Sequence, residues 1–234
     1  FGEPGMPAPK EGWQRSDLTA LFETEAAATE AATLLRAQDW ATSMTVLALR
    51  AVEDQDWVRL TQSQFAPVEI TPSFWIVPTW HEPPAAAQQV IRLDPGLAFG
   101  TGTHPTTRMC LRWIAQHGPV GPRVLDYGCG SGILAIGAAK FGAHEIVAVD
   151  IDPAAVESSR LNAEANHAVL TAGLPDLARG EHDLVLANIL ATPLKVLAPL
   201  LCAHVRSGGH LVLAGILARQ ADELTQAYAP WVTL

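Results

Sequence analysis

The segment Val124-Leu125-Asp126-Tyr127-Gly128-Cys129-Gly130-Ser131-Gly132-Ile133 joins an apolar run to an acid and then to three glycines at alternate positions. Glycines spaced this way let a turn approach a ligand closely and let the following helix pack tightly on the strand before it. The chemistry implied is nucleotide binding, and neighbouring residues narrow the nucleotide. A dinucleotide fingerprint needs glycine three positions after Gly130, where this chain has Ile133, and a P-loop needs a Lys-Ser or Lys-Thr pair that does not follow. A carboxylate at Asp126 would repel a pyrophosphate. It suits the cationic ammonium on the methionine end of S-adenosylmethionine, held directly or through water.

Asp150 closes the next apolar run, Ile146-Val147-Ala148-Val149, and an acid there can accept hydrogen bonds from both ribose hydroxyls. Asp152 is a second candidate, although its place before Pro153 also suits a helix N-cap. A second glycine-rich loop, Phe99-Gly100-Thr101-Gly102-Thr103-His104-Pro105-Thr106-Thr107, stands directly before a helix. Alone it reads as a tight turn followed by threonine caps; beside a cofactor turn it reads as a lid or cofactor-contacting loop. Phe99, Gly100, Thr101, Thr106 and Thr107 then join Asp126, Gly128, Gly130 and Asp150 as candidate cofactor contacts. His104 is a candidate proton acceptor, with a loop histidine holding backbone as the alternative. Asn188 ends a further apolar run, Leu184 to Ala187, where its side-chain carbonyl can accept a hydrogen bond from an attacking amine. Its alternative is to cap the helix that follows.

Elements that position these residues can be read from residue 106 onward. The pattern predicts helices at Thr106–His117, Gly132–Phe141, Pro153–Asn166 and Leu194–His204. They alternate with strands at Arg123–Asp126, Glu145–Asp150, Ala168–Thr171, Asp183–Ala187 and His210–Ala214, and Trp231–Leu234 reads as a strand only begun. Such alternation implies an α/β fold with a doubly wound, mostly parallel, Rossmann-like sheet. Ligands in such sheets sit at the carboxyl ends of the strands, where the residues named above fall. Before this region, residues 1–15 read as loop, and a strand at Thr19–Phe22, a helix at Glu25–Gln38 with Thr24 as N-cap, and a strand at Met44–Val52 suggest a small β-α-β unit. Residues 53–95 are dense in Trp and Pro and read as an irregular linker, with a short helix near Trp57 and one strand at Phe74–Val77.

Composition narrows the class further. The chain has 234 residues, 49% of them hydrophobic, with no stretch of 18 uncharged apolar residues and no secretory signal at its start, so a cytoplasmic globular protein with no membrane segment is expected. Beginning at Phe1, it reads as a fragment. The formal charge of −9 disfavours direct DNA binding, which depends on Lys and Arg displacing counterions, and leaves room for a basic protein partner. Cys110, Cys129 and Cys202 lie far apart with no metal-ligand spacing, so they are expected to be unpaired and buried, with no metal site.

Across its three loops the chain resembles the ribosomal protein L11 methyltransferase family of the PrmA type, class I S-adenosylmethionine-dependent enzymes. The likeness is carried by Asp94 to Thr107, Leu125 to Ile133, Val149 to Pro153, Ala187-Asn188-Ile189-Leu190-Ala191 and Gly215-Ile216-Leu217. It extends over most of the chain, including Asp56-Trp57 and Trp75-Ile76-Val77-Pro78. The resemblance implies a partial ferredoxin-like amino-terminal substrate-recognition domain over residues 1–53, a linker over 54–95 and a catalytic domain over 96–234 whose last strands are missing. It also implies that Thr107, Gly128, Asp150 and Asn188 contact the cofactor, and that methyl groups pass from S-adenosylmethionine to lysine side chains or an α-amino group of a large-subunit ribosomal protein. Two other readings stay open on residues alone: an N-methyltransferase acting on another protein, a nucleic acid or a small molecule, and a module that only binds a nucleotide.

Overall fold

The computed structural model describes residues 18–41, 44–50, 65–94, 102, 104–118 and 121–233. The chain divides into two compact units, residues 1–57 and 58–234. In the first, helix α1 spans Glu25–Arg36, and the Thr24 hydroxyl accepts from the Ala27 backbone N–H, as its cap position predicts. Neither Thr19–Phe22 nor 44–50 forms the expected strand: both stretches carry no ladder and are almost wholly exposed. An extended segment becomes a strand only by sharing hydrogen bonds with a neighbour, and no described residue of this unit supplies one. Residues 1–15, 51–52 and the helix expected near Trp57 lie outside the described residues.

The second unit opens with a three-stranded sheet where an irregular linker was expected. Strand β1 (Val68–Thr71) turns through Pro72-Ser73 into antiparallel β2 (Phe74–Val77), and β3 (Gln89–Arg92) runs parallel to β2. Each strand is four residues long and the prolines fall between them, so Pro72, Pro78, Pro83 and Pro84 remove no ladder donor. Phe74, Ile76 and Ile91 are buried in the same core as the helices below.

Five parallel strands form the main sheet in the order β6-β5-β4-β7-β8: β4 (Arg123–Tyr127), β5 (Glu145–Val149), β6 (Thr171–Gly173), β7 (His182–Asn188) and β8 (Val205–Ala214). Helices α2 (Pro105–His117), α3 (Ile133–Lys140) and α4 (Pro153–Ala165) share one core with Val124, Ala148 and Leu186. Leu125, Val149, Val185 and Ala187 point to the other face, against α5 (Ala191–Val196), α6 (Ala198–Ala203) and α7 (Ala221–Tyr228). Alternate strand residues feeding two helical layers is the doubly wound arrangement read from the sequence.

Differences from that reading have local causes. One helix was expected over Leu194–His204, but Pro199 cannot donate to Lys195, and the chain breaks at Leu197 into α5 and α6. Strand β8 begins five residues before its expected start because residues 206–209 bulge out, the register jumping from His182↔Val205 to Leu184↔His210. Strand β6 lies at Thr171–Gly173, toward the carboxyl side of its expected place. Residues 229–231 form a turn and no strand follows them through 233. Helix α7 was not foreseen; Leu224 and Tyr228, one turn apart, anchor it, and the Tyr228 hydroxyl donates to the Leu194 carbonyl.

A side chain ties the small sheet to the large one's helices. Asn166, at the end of α4 and 3% exposed, accepts from the Arg92 N–H and donates to the Arg92 carbonyl, both at 2.7 Å, as a neighbouring strand would. Its amide also donates to Asn162 O. Asn166→Ala leaves both Arg92 backbone groups without partners, so a loss of about 3 kcal/mol is expected in urea unfolding. A loss under about 1 kcal/mol would show that water replaces the clasp.

Candidate active site

The strand order reverses between β4 and β7: the chain runs outward from β4 through β5 to β6, then crosses back to β7 and β8. The carboxyl ends of β4 and β7 therefore border a crevice, and they carry Gly128 and Asn188. The glycine turn is held against the end of β5, because Gly128 N and Cys129 N both donate to Val149 O. Gly128 has φ +79°, and a Cβ there would lie 2.4 Å from the Ile189 side chain, so only glycine fits between the two strand ends.

Asp126 is 1% exposed beneath this turn. Its Oδ2 accepts from Ala135 N at 3.0 Å in the first turn of α3, whose own N-cap, Gly132, has no side chain to do so. Its Oδ1 is buried without a hydrogen-bond partner. Burial pushes the carboxyl up to about 7, against the Ala135 N–H, which lowers it, and with the Asp150 charge adding to the rise. Burial likewise pushes the neighbouring thiols of Cys110 and Cys129 up to about 12, with Asp126 contributing to both. All three cysteines are free and buried, as expected.

Asp150 is half-buried at the lip of the crevice. Its Oδ2 accepts from Gly130 N at 2.9 Å and its Oδ1 from Asp152 N at 3.0 Å, so backbone donors fix the carboxylate while each oxygen keeps lone-pair capacity. Asp152 instead accepts from Ala154 N and caps α4. Beside Asp150, Ile151 is 82% exposed, and Leu174 and Leu177 beyond β6 are also exposed. The sequence reading passed over these three; apolar residues immediately after strand ends were the available signal.

Of the second loop, Phe99, Gly100 and Thr101 lie outside the described residues. Gly102 is buried with φ +79°, and a Cβ there would lie 2.2 Å from Ile76 and 3.1 Å from Ile133, which places this one residue between β2 and α3. His104 caps α2: its Nδ1 accepts from Thr106 N and lies 2.7 Å from the Thr106 hydroxyl. That is the backbone-holding arrangement weighed against a proton-accepting role. Thr107, 1% exposed, accepts from Asn188 Nδ2 at 3.2 Å. Asn188 itself is half-buried at the end of β7, and no side chain caps α5. On the far side of that strand end, a Cβ on Gly215 (φ +85°) would lie 2.4 Å from Ile189 O, so β7 and β8 close tightly around Asn188-Ile189.

Among the described residues no cluster of three or more His, Cys, Asp or Glu is arranged to hold a metal, and no helix is long and apolar enough to cross a membrane. The crevice instead offers a fixed carboxylate and a turn cleared of side chains, with an orphaned carboxyl oxygen buried beneath that turn.

Comparison with known proteins supplies the class. The sequence model of the family "Ribosomal protein L11 methyltransferase (PrmA)" matches residues 1–234. A ribosomal protein L11 methyltransferase of Polaromonas sp. is 71% identical over 237 aligned positions, covering 100% of this chain and 80% of the relative. One from Cupriavidus necator is 53% identical over 235 positions, covering 100% and 78%. Among solved structures, the ribosomal protein L11 methylase of Lactobacillus delbrueckii subsp. bulgaricus superposes with a TM-score of 0.64 at 36% identity, over 71% of this chain and 88% of that one. The turn, the strand order and these relatives agree: the chain belongs to the ribosomal protein L11 methyltransferase (PrmA) family.

Proposed function

We propose that this protein transfers methyl groups from S-adenosylmethionine to amine nitrogens of ribosomal protein L11, on lysine side chains or the α-amino group, in the cytoplasm. The observation that carries the reading is the close packing of the Gly128 turn, after β4, on Ile189, the residue that follows Asn188 at the end of β7, in a chain of this family. A bound S-adenosylmethionine supplies a methyl group already activated on a sulfonium, so the protein's contribution is positioning.

The residues suit that cofactor. Asp150 has acceptor capacity for two ribose hydroxyls, and exposed Ile151, Leu174 and Leu177 offer apolar surface to a flat base. Gly128 and Gly130 admit the cofactor against the turn. Asp126, buried as it is, acts on the ammonium end through water at its orphaned Oδ1 and on the turn through Ala135 N. Phe99, Gly100, Thr101, Thr106 and Thr107 complete the contacts from the second loop, and His104 holds that loop's helix in place, with proton acceptance the alternative role.

Asn188 orients the amine, its Oδ1 accepting the N–H. A lysine amine with a pKa near 10.4 must first lose its proton, at a cost of roughly 4 kcal/mol at about pH 7.4; an α-amine near 8 costs under about 1 kcal/mol. Residues 1–53 serve substrate recognition and 96–234 carry the transfer, while β1–β3, from the span between them, pack into the core of the second unit.

Methyl transfer to purified L11, with other ribosomal proteins and RNA as controls, tests the reading. Asn188→Ala is expected to lower turnover roughly 30-fold with cofactor affinity within about threefold. Unchanged turnover on L11 would sink the role of Asn188, and transfer to RNA alone would sink the acceptor.

A further inference from the structure

Resting on the proposed transfer to an amine, we propose that Leu190 and Leu217 form the mouth of the acceptor site and select lysine side chains, holding the aliphatic stem while the amine meets Asn188. Leu190 lies two residues beyond Asn188, which ends β7. Leu217 lies three beyond Ala214, the residue of β8 paired in register with Asn188. A Cβ on Gly215 would lie 2.4 Å from Ile189 O, so the two loops that carry these leucines leave the sheet in contact.

Both leucines break local rules. Each occupies an N-cap position, Leu190 before α5 and Leu217 before the 3-10 turn Ala218–Gln220, where Ser, Thr, Asp or Asn would accept a backbone N–H and a leucine side chain accepts none. Each is also exposed, at 58% and 54%. Gln220 Oε1 accepts from Leu217 N at 2.8 Å, which fixes the backbone beneath that side chain. A large apolar side chain that neither caps its helix nor enters the core adds little to the fold, and such departures from local rules collect at sites that serve a ligand. Ile151 after β5 and Leu174 after β6, the latter also at an N-cap position, repeat the pattern beside the ribose acid. One ligand group does not cover both pairs. In the order β6-β5-β4-β7-β8 they stand three strand spacings apart, about 14 Å, with the Gly128 turn between them. With the ribose at Asp150 and the base at Ile151 and Leu174, the surface beyond β7 is left to the molecule that receives the methyl group.

Residue types choose among acceptors. Ile189-Leu190-Ala191 and Gly215-Ile216-Leu217 contain no aromatic ring on which a planar base could stack. An α-amine is carried on the backbone and brings no stem. A lysine brings four methylenes, which pack along aliphatic surface while the amine reaches past them. Covering the two leucines also strips water from the amine and favours its neutral form, the one able to attack. A lysine, with a pKa of about 10.4, needs this help far more than an α-amine of about 8.

Leu190→Gln combined with Leu217→Gln keeps side-chain length and removes the apolar surface. With L11 as acceptor at about pH 7.4, and the modified positions counted by peptide mass spectrometry, lysine methylation is expected to fall about tenfold in the double variant and about threefold in each single one. Methylation of the α-amine and the cofactor Kd should stay within about twofold, and urea unfolding should be unchanged, because both positions are exposed. Leu190→Met with Leu217→Met keeps the surface apolar and should hold lysine methylation within about threefold of wild type. The ratio of lysine to α-amine methylation decides, since a damaged fold or a weakened cofactor site lowers both alike. An unchanged ratio, whether both reactions fall together or neither does, would overturn the proposal. So would a wild type that methylates the α-amine alone. A wild type that methylates no amine of L11 sinks the functional reading and this inference with it, whereas an active wild type with an unaltered ratio in the variants sinks the inference alone.

Discussion

Replacing Asp150 by alanine is expected to raise the dissociation constant for S-adenosylmethionine roughly a thousandfold while leaving the fold intact. Gly130 N and Asp152 N each take one lone pair of the carboxylate and hold its plane still, so the acid needs little reorganisation to receive a ribose. Hydrogen bonds from neutral donors to a charged acceptor are worth about 2 kcal/mol each, and two of them amount to about 4 kcal/mol, or three decades of affinity. The structural loss is smaller: Asp150 is half-buried and water can reach the Gly130 N–H, so unfolding should shift by only about 1 kcal/mol. Asp150→Asn keeps the size and one acceptor and should fall between the two. Calorimetric titration measures the affinities; a dissociation constant within about threefold of wild type in Asp150→Ala would remove the ribose from Asp150.

Asp150 and the Gly128 turn were legible because strand, acid, glycine and helix are consecutive, and each obeys a local rule. Asp152 illustrates the limit of such rules, since position alone left it between ribose and cap, and the Ala154 N–H at 2.9 Å decides for the cap. The same locality misled over residues 68–92, where prolines between four-residue strands look like prolines throughout an irregular linker. At Thr19–Phe22 and 44–50 local pattern suggested strands that have no partner among the described residues. Least legible are contacts between distant positions. Nothing near Thr107 foretells Asn188, nothing near Asn166 foretells Arg92, and nothing near Gly215 foretells the Ile189 carbonyl 2.4 Å from where its Cβ would be.

The burial of Asp126 has its largest consequence in the pH dependence of stability. Its folded pKa is raised to about 7 from 3.8, burial being the main cause, so the folded state favours the protonated acid. A group of this kind stabilises the fold fully below its unfolded pKa, and the contribution drains away as pH rises toward 7. A rise of about 3 units corresponds to about 4 kcal/mol. The groups facing it, Cys110, Cys129 and Asp150, do not offset this loss: the thiols stay neutral there and Asp150 adds to the rise. Asp126→Asn retains an acceptor for Ala135 N and cannot ionise. Its stability relative to wild type should therefore improve by about 4 kcal/mol between pH 4 and pH 8. His182 limits the acid side. Buried at 2% exposure, its Nδ1 without a hydrogen-bond partner, it has its pKa lowered by burial first and then by the Arg123 charge, against the His204 backbone and the Asp183 charge, which raise it. Its contribution is present above about 6.5 and lost as pH falls below that value, so His182→Gln should flatten the acid limb only. Urea unfolding at pH 5, 6, 7 and 8 separates the two residues. If the gap between Asp126→Asn and wild type stays constant across that range, the carboxyl is already ionised in the fold, and a bound water or cation at its Oδ1 must be holding the charge.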